Sequence, residues 1–496
     1  MKTWMSVLFS AVAAIAQGQH GGDHAGHAHG WTIEDVPMPA GVAPEIGAVA
    51  FGTDGELIIA TRRSGIWTAE PVADPAAFDW RAFTEVSLHN PMGVAVLGRG
   101  DLLVAQMPEL TRIRDTDGDG IADTFDSLCR EWGVSGNYHE TNAGPVPSGD
   151  GGWFVAVGTA SHNGPTFRHT RGEFSATGRR GRNFSAVPWK GWVVKVTAEG
   201  GVIPWASGFR ANNGIAVGPE GRLWVTDNQG DWRGTSPIFH VEQGGFYGHP
   251  SSLVWRPDHP GDDPLRYPLE ELERMRTRPA VQLPHGKVCN SPSEPIFDTT
   301  GGAFGPFEGQ MFVGDIAGPR ILRVMLEEVD GVMQGAVVPF TNGGRMRGGT
   351  NRLCFSPDGR TLWAGQTYRG WGKPSEGLQR ITFTGHAPQA IHTVSLTAEG
   401  FRIRFTQPIA PATVMDPAAW RVARFHYDYG HRYGSPERER TGVAVSGAVV
   451  EAGEPVVWLT LDERPQAGEI YEITCPALDG LGERTAWYTI NTPRPR

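Results

Sequence analysis

One recurring pattern constrains this chain more than any other feature. An alternating apolar strand leads into a glycine-containing turn with Asp, Glu or Pro, and a second apolar strand follows. It runs as IGAVAFGTDGELIIA from Ile46, MGVAVLGRGDLLVA from Met92 and AGPVPSGDGGWFVAVG from Ala143. It returns as NGIAVGPEGRLWVTD from Asn213, GGAFGPFEGQMFVGD from Gly301 and NRLCFSPDGRTLWAGQ from Asn351. Each copy is a hairpin, because a period of two marks sheet and the turn residues supply tight or positive-φ positions. A second pair of strands is expected after each, for example Trp192 to Val196 and Ile321 to Met325. Four strands per repeat predict an all-β, six-bladed β-propeller over residues 33–385. The one good helical candidate, Leu269 to Met275, lies in an insertion of the fourth repeat, and a TIM barrel is excluded for want of regular helices.

Around Gly385 the pattern changes to shorter strands: HTVSLTAEGFRIRF, AWRVARFHYDY, VVWLTL, YEITC and AWYTI. These predict a small C-terminal β-sandwich of the Ig-like kind over residues 386–496. The composition agrees: Gly (67), Pro (38) and Trp (17) are high, as many short strands and tight turns require.

The first 16 residues read as a secretory signal. Lys2 is the positive n-region, Trp4 to Ile15 the apolar run, and Ala14-Ile15-Ala16 an A-x-A cleavage site. No later run reaches the roughly 18 to 20 apolar residues that span a bilayer. A periplasmic or secreted protein with no membrane span is expected. Residues 17–32 form a linker holding His20, His24, His27 and His29, either a metal-binding tail or a plain connector. Cys129, Cys289, Cys354 and Cys475 allow three full disulfide pairings, and no C-x-x-C-H motif offers a c-type haem. With a net charge of −10 and no basic stretch to track phosphates, nucleic acid is not an expected partner. Arg171, Arg179, Arg180 and Arg182 form a basic insertion that reads as a solvated loop or a docking patch for an acidic partner.

In a propeller, residues just before the first strand and just after the second gather on one face around the axis. Here those before include His89, Asn90, Asn137, His139, Glu140 and Asn142, then Arg210, Asn212, Asn213, Asn351 and Arg352. Those after include Gln106, Asp227, Asn228, Gln229, Asp315, Gln366 and Arg369. Asn and Asp favour strand ends and turns, which accounts for single positions. Convergence of so many polar groups from different repeats predicts a ligand site at the centre. Separately, DTDGDGIADTFD carries Asp115, Asp117 and Asp119 at positions 1, 3 and 5, with Gly120 at the sharp turn. The Ile121 carbonyl, Asp123 and Asp126 follow at positions 7, 9 and 12, the spacing of a calcium loop with Asp in place of the closing Glu. A plain acidic turn is the alternative.

The stretches ELTRIRDTDGDGIAD…GVSGNYHE, ASGFRANNGIAVGPEGRLWVTDNQGDW…GGFYGHP and SPSEPIFDTTGG…FGPFEGQMFVGD resemble the glucose/sorbosone dehydrogenase-like propellers, over roughly Trp31 to Gly385. This group includes bacterial proteins called membrane-bound dehydrogenase or sorbosone dehydrogenase domains, and its wider superfamily holds soluble quinoprotein glucose dehydrogenases. The resemblance implies oxidation of a sugar or polyol, with hydride passing to pyrroloquinoline quinone (PQQ) polarised by calcium. It implies His139 as the general base, which suits an imidazole with its near-neutral pKa. It places Arg210 on the cofactor, with Asn212, Asn213 and Gln229 beside it, and Gly230 and Asp231 where backbone carbonyls hold the calcium. Arg347 and Arg352 align approximately with its two last-blade arginines. Its fifth-blade lysine is lost near Ala317, which weakens a cradle for three carboxylates. Without a fused cytochrome, an oxidoreductase of this kind needs a separate electron acceptor such as a cytochrome c. Two other readings stand: a glycan- or partner-binding propeller without catalysis, and a calcium-dependent lactonase-like hydrolase using Asn213, Asp227 and Asp315. Trp132, Trp232, Tyr247 and Trp371 are aromatic candidates for sugar stacking or for packing between repeats.

Overall fold

A computed structural model describes residues 30–137, 140–161, 171–172, 182–367, 376–475 and 484–495. Within these, the repeats form antiparallel meanders. The first sheet holds Ile46–Phe51, Leu57–Thr61, Gly65–Ala69 and Arg81–Ala82; the second holds Val94–Gly98, Asp101–Ala105, Leu110–Arg114 and Thr124–Cys129. The third comprises Asn142–Pro147, Trp153–Val157, Trp192–Val196 and Val202–Ser207; the fourth comprises Gly214–Val217, Leu223–Thr226, Ser236–Val241 and Val281–Leu283. The fifth begins with Pro292–Phe297, Met311–Asp315, Arg320–Val329 and Val332–Asn342. In the sixth, Thr350–Phe355, Thr361–Gln366 and Gly377–Phe383 are completed by Trp31–Val36 from the other end of the chain. That strand pairs from Trp31↔Phe383 to Val36↔Leu378.

The packing is propeller-like. The first strands of successive sheets neighbour one another, and that of the sixth sheet returns to that of the first. Strand alternation explains why this works: both faces of each middle strand are apolar, and each face meets a different neighbour. Leu103 and Ala105 pack with Val155 and Val157 of the third sheet, while Leu102 and Val104 pack with Ile58 and Ala60 of the first. The last gap is filled by Trp363 and Leu378 against Ile46, Leu57 and Ile59. Each fully buried Leu or Ile contributes about 1.5–3 kcal/mol, so truncating Leu103 to Ala costs about 2–5 kcal/mol.

The fifth repeat differs from its expected register. Its first strand is Pro292–Phe297, and the Gly301 segment is a turn between the strands. Gly301, Gly302, Gly305 and Gly309 all have positive φ, which strand backbone excludes. The helix Leu269–Met275 forms at its expected bounds.

Beyond Gly385, the strands Ile391–Leu396, Gly400–Phe405, Val456–Leu461 and Val445–Val450 make one sheet. Arg421–His426, Arg438–Val443, Ile470–Thr474 and Thr485–Thr489 make a second row. A common core of Phe401, Ile403, Leu459, Val422, Tyr471 and Tyr488 joins the two. The second row is not separate: Val337, Ala336 and Gly335 pair with Trp487, Tyr488 and Thr489, so the fifth sheet runs on as eight strands. Arg323 reinforces the joint, donating to the His392 carbonyl (3.0 Å) with its guanidinium 3.7 Å from the Phe307 ring centre. Burial pushes this guanidinium down to about 9. None of the four cysteines is in a disulfide. Among the described residues, no helix is long and apolar enough to cross a membrane.

Candidate functional site at the centre of one face

Several polar groups that converge on this face are tied into the backbone. Asp227, just past the second strand of the fourth sheet, accepts from the amides of Arg210 (2.8 Å), Ala211 (2.7 Å) and Asn228 (2.8 Å), and pairs with Arg233 at 3.0 Å. Asp315, in the equivalent place of the fifth sheet, accepts from the amides of Asn290 (3.1 Å), Ser291 (2.9 Å) and Ala317 (2.9 Å). In the second sheet the Gln106 Oε1 accepts from the His89 amide at 2.6 Å. Each side chain clips the loop that enters a first strand to the end of the second. These groups satisfy buried amides.

The fourth-sheet corner holds a saturated ionic string. The Arg210 guanidinium, 2% exposed, donates to Asp231 Oδ1 at 2.7 Å and to Asn183 Oδ1 at 3.3 Å. Asp231 Oδ2 accepts from the Asn183 amide (2.8 Å) and meets His249 Nε2 at 3.1 Å, while Ser251 Oγ lies 2.8 Å from His249 Nδ1. Burial pushes the Asp231 carboxyl up, but Arg210 and His249 outweigh it and hold the group well below the usual carboxylate range. Burial pushes His249 down. An ionised Asp231 can only accept, so His249 Nε2 donates to it, and Ser251 Oγ is the partner of Nδ1. This Ser–His–Asp string is a buried structural network: its carboxylate is neutralised by Arg210, and its hydroxyl belongs to a buried residue. Gln229 donates through Nε2 to the Gly234 carbonyl at 3.0 Å.

Nearer the axis, Arg352 ties three sheets together. Its guanidinium donates to the carbonyls of Met92 (2.6 Å), Asn213 (3.0 Å) and Asn351 (2.7 Å), joining the second, fourth and sixth sheets. Asn213 donates to Asn351 Oδ1 at 3.1 Å. Arg347 pairs with Asp35 at 2.9 Å and donates to the Glu376 carbonyl at 3.1 Å. Asn212 is different. It is buried beside Gly158 and Thr141, and among the described residues neither its Oδ1 nor its Nδ2 has a hydrogen-bond partner. His139 lies outside the described residues, as do Arg369, Trp371 and the N-terminal histidines. Glu140 accepts from the Ser135 amide and hydroxyl and lies 3.6 Å from the buried Lys190 ammonium. Burial pushes that ammonium down.

In the acidic loop, oxygens of Asp115, Asp117 and Asp123 all lie within 4.8 Å of one another. Asp119 and Asp126 are not part of this group. Asp119 accepts from the Ile121 amide (2.8 Å), and Asp126, on the outer strand of the second sheet, pairs with Arg114 at 2.5 Å. The Ile121 side chain is exposed. Hydrogen bonds from Thr124 and Thr116 hold the Asp123 carboxyl below its ordinary value. Three carboxylates fit part of a calcium shell, which needs six to eight oxygens.

The quinone positions do not fit their group. Arg210 is neutralised inside the fold, and the Gly230 carbonyl already accepts two amides, from Arg233 (3.1 Å) and Gly434 (2.9 Å). Arg352 is spent on carbonyls, and Arg347 has its own carboxylate. In this structure the Arg210, Arg347 and Arg352 guanidinium groups and the Gly230 carbonyl, which the resemblance assigns to the cofactor, all have partners within the fold, because low-dielectric burial demands partners. Asn183, His249, Ser251 and Tyr433 escaped sequence reasoning, because no spacing links residues up to 250 positions apart.

Residues 74–202 match a family described only as a domain of unknown function (DUF7133). No curated protein matches the chain. Among solved structures, the chain is similar to a carbohydrate-active enzyme of family AA12 from Trichoderma reesei in its iodide form. The two share 13% identity over 72% of this chain and 96% of that one, with a TM-score of 0.50. A pyranose dehydrogenase PQQ domain from Coprinopsis cinerea, in holo form, is 13% identical over 71% of this chain and 96% of its own, with a TM-score of 0.48. A glucose dehydrogenase-type oxidoreductase from Thermus thermophilus is 19% identical over 71% of this chain and 100% of its own, with a TM-score of 0.45. At these identities the likeness is one of fold.

Proposed function

We propose that this chain is an exported six-bladed propeller with a C-terminal β-sandwich, and that it binds a sugar or polyol at the centre of the face described above. The observation that carries this reading is Asn212. A buried carboxamide with neither atom paired costs about 1–3 kcal/mol per group, and hydroxyl-rich ligands pair both its donor and its acceptor. Asn90 Nδ2 and Gln366 Oε1, at edges of the second and sixth sheets, are also buried without partners among the described residues. Calcium at Asp115, Asp117 and Asp123 belongs to this reading as a structural ion that stiffens a surface loop.

A second reading is oxidation of the bound sugar, with a separate electron acceptor. It is favoured by the sugar and pyranose dehydrogenases among the fold neighbours. The experiment is a calorimetric screen of neutral sugars and polyols, repeated with Asn212→Ala. One ligand class should bind, and the variant should weaken it about tenfold, or roughly 1.4 kcal/mol. A screen without binding at tens of millimolar would sink the proposal. Dye reduction on the bound ligand, with and without added quinone, separates the oxidising protein from the binding one.

A further inference from the structure

We infer that the segment Gly430–Ser435 of the C-terminal module is a fixed part of the fourth-sheet corner, anchored by Arg210, and that the chain therefore binds no pyrroloquinoline quinone there. Two loops distant in sequence are laced together at this point. The Trp232 amide donates to the Gly430 carbonyl at 2.8 Å, Gly434 to Gly230 at 2.9 Å, and Ser435 to Gly234 at 2.9 Å. Asp231 and Tyr433 face each other as an antiparallel bridge, and the Tyr433 ring centre lies 5.2 Å from the Arg210 guanidinium carbon. Below them Tyr429 donates its hydroxyl to the Gly248 carbonyl at 2.5 Å.

Both loops carry the residues this contact needs. A Cβ on Gly230 would strike the Arg210 guanidinium, and one on Gly234 would strike the Asp428 carbonyl. Gly434 has φ +66°, and Trp232 holds the left-handed region at 61° with its amide aimed at the C-terminal loop. The Arg210 guanidinium and the Gly230 carbonyl, which a quinone and its calcium would use here, are thus turned to a different task. Arg210 is a positioning residue: it balances Asp231 and supports the Tyr433 ring.

The inference stands apart from sugar binding and has its own test on the full chain. Wild-type protein with calcium is titrated with PQQ, followed by tryptophan fluorescence and calorimetry. No binding to tens of micromolar is expected. Amide exchange is then measured in Arg210→Ala, with Asp231→Asn as the second variant in case the first does not fold. Exchange at Tyr433, Gly434 and Ser435 should accelerate by about tenfold or more, with the loop Asp115–Asp126 unchanged. Calcium-dependent quinone binding in the micromolar range or tighter that Arg210→Ala abolishes would overturn the inference. Unchanged exchange at Tyr433 to Ser435 in a folded variant would overturn it equally.

Discussion

Two regions of this molecule carry clustered acidic side chains in patterns that suggest a ligand, and they use them in opposite ways. At the fourth-sheet corner, Asp227 and Asp231 are fully buried and each accepts several hydrogen bonds from the protein itself. In the loop Asp115–Asp126, the carboxylates are largely exposed, and three of them stand close together. The difference is solvent. A buried carboxylate without partners is too costly to keep, so the fold supplies them and the site is closed to newcomers. An exposed carboxylate is served by water, which an ion can replace.

The largest expected effect tests the closed region. Arg210→Ala leaves Asp231 buried without its cation, and denaturant melts should show a loss of about 3–5 kcal/mol. A loss below about 1 kcal/mol would mean that Asp231 is already neutral or hydrated. The next effect tests the open region. Calcium at a hundredfold excess over its Kd should raise stability by about 2.7 kcal/mol, and Asp115→Asn should reduce that gain while leaving the calcium-free protein little changed. A calcium-independent melting curve would reduce the loop to an acidic turn.

A smaller effect is read against pH. His249 has a folded pKa below its ordinary value, so between the two values the unfolded chain binds a proton that the folded chain does not. Stability should therefore fall as pH drops below about 6.5, by up to roughly 1.4 kcal/mol per unit. His249→Gln should remove that slope. Asp231, also held low, adds a further loss in the same direction once pH passes below the ordinary carboxylate range. The smallest effect belongs to the exposed Arg114–Asp126 pair: Arg114→Ala should change stability by less than about 1 kcal/mol.

Much of the fold was legible because it is local. Period-two alternation and turn glycines locate five of the six hairpins, and the helix Leu269–Met275 has its expected bounds. The fifth hairpin was misplaced because GGAFGPFEGQ mixes apolar residues with glycines, and only backbone φ separates a glycine turn from a strand. The strands Arg438–Val443 and Val445–Val450 escaped notice, since exposed residues outnumber buried ones in the first and its alternation is weak. The candidate site was legible as a list and not as an arrangement. Asp227, Asp315, Asn212 and Arg352 all read as polar residues at strand edges, yet two are backbone clips, one is unpaired among the described residues and one joins three sheets.

By itself the sequence determined the repeat, the strand content, the acidic loop and the ring of polar strand edges, because these depend on residues within a few positions of one another. Only the tertiary structure decided that Trp31–Val36 closes the sixth sheet and that the fifth sheet continues into the C-terminal module. It also decided that Tyr433 covers Arg210. Those outcomes join residues far apart along the chain. Which polar group finds a partner there depends on burial that no local pattern records.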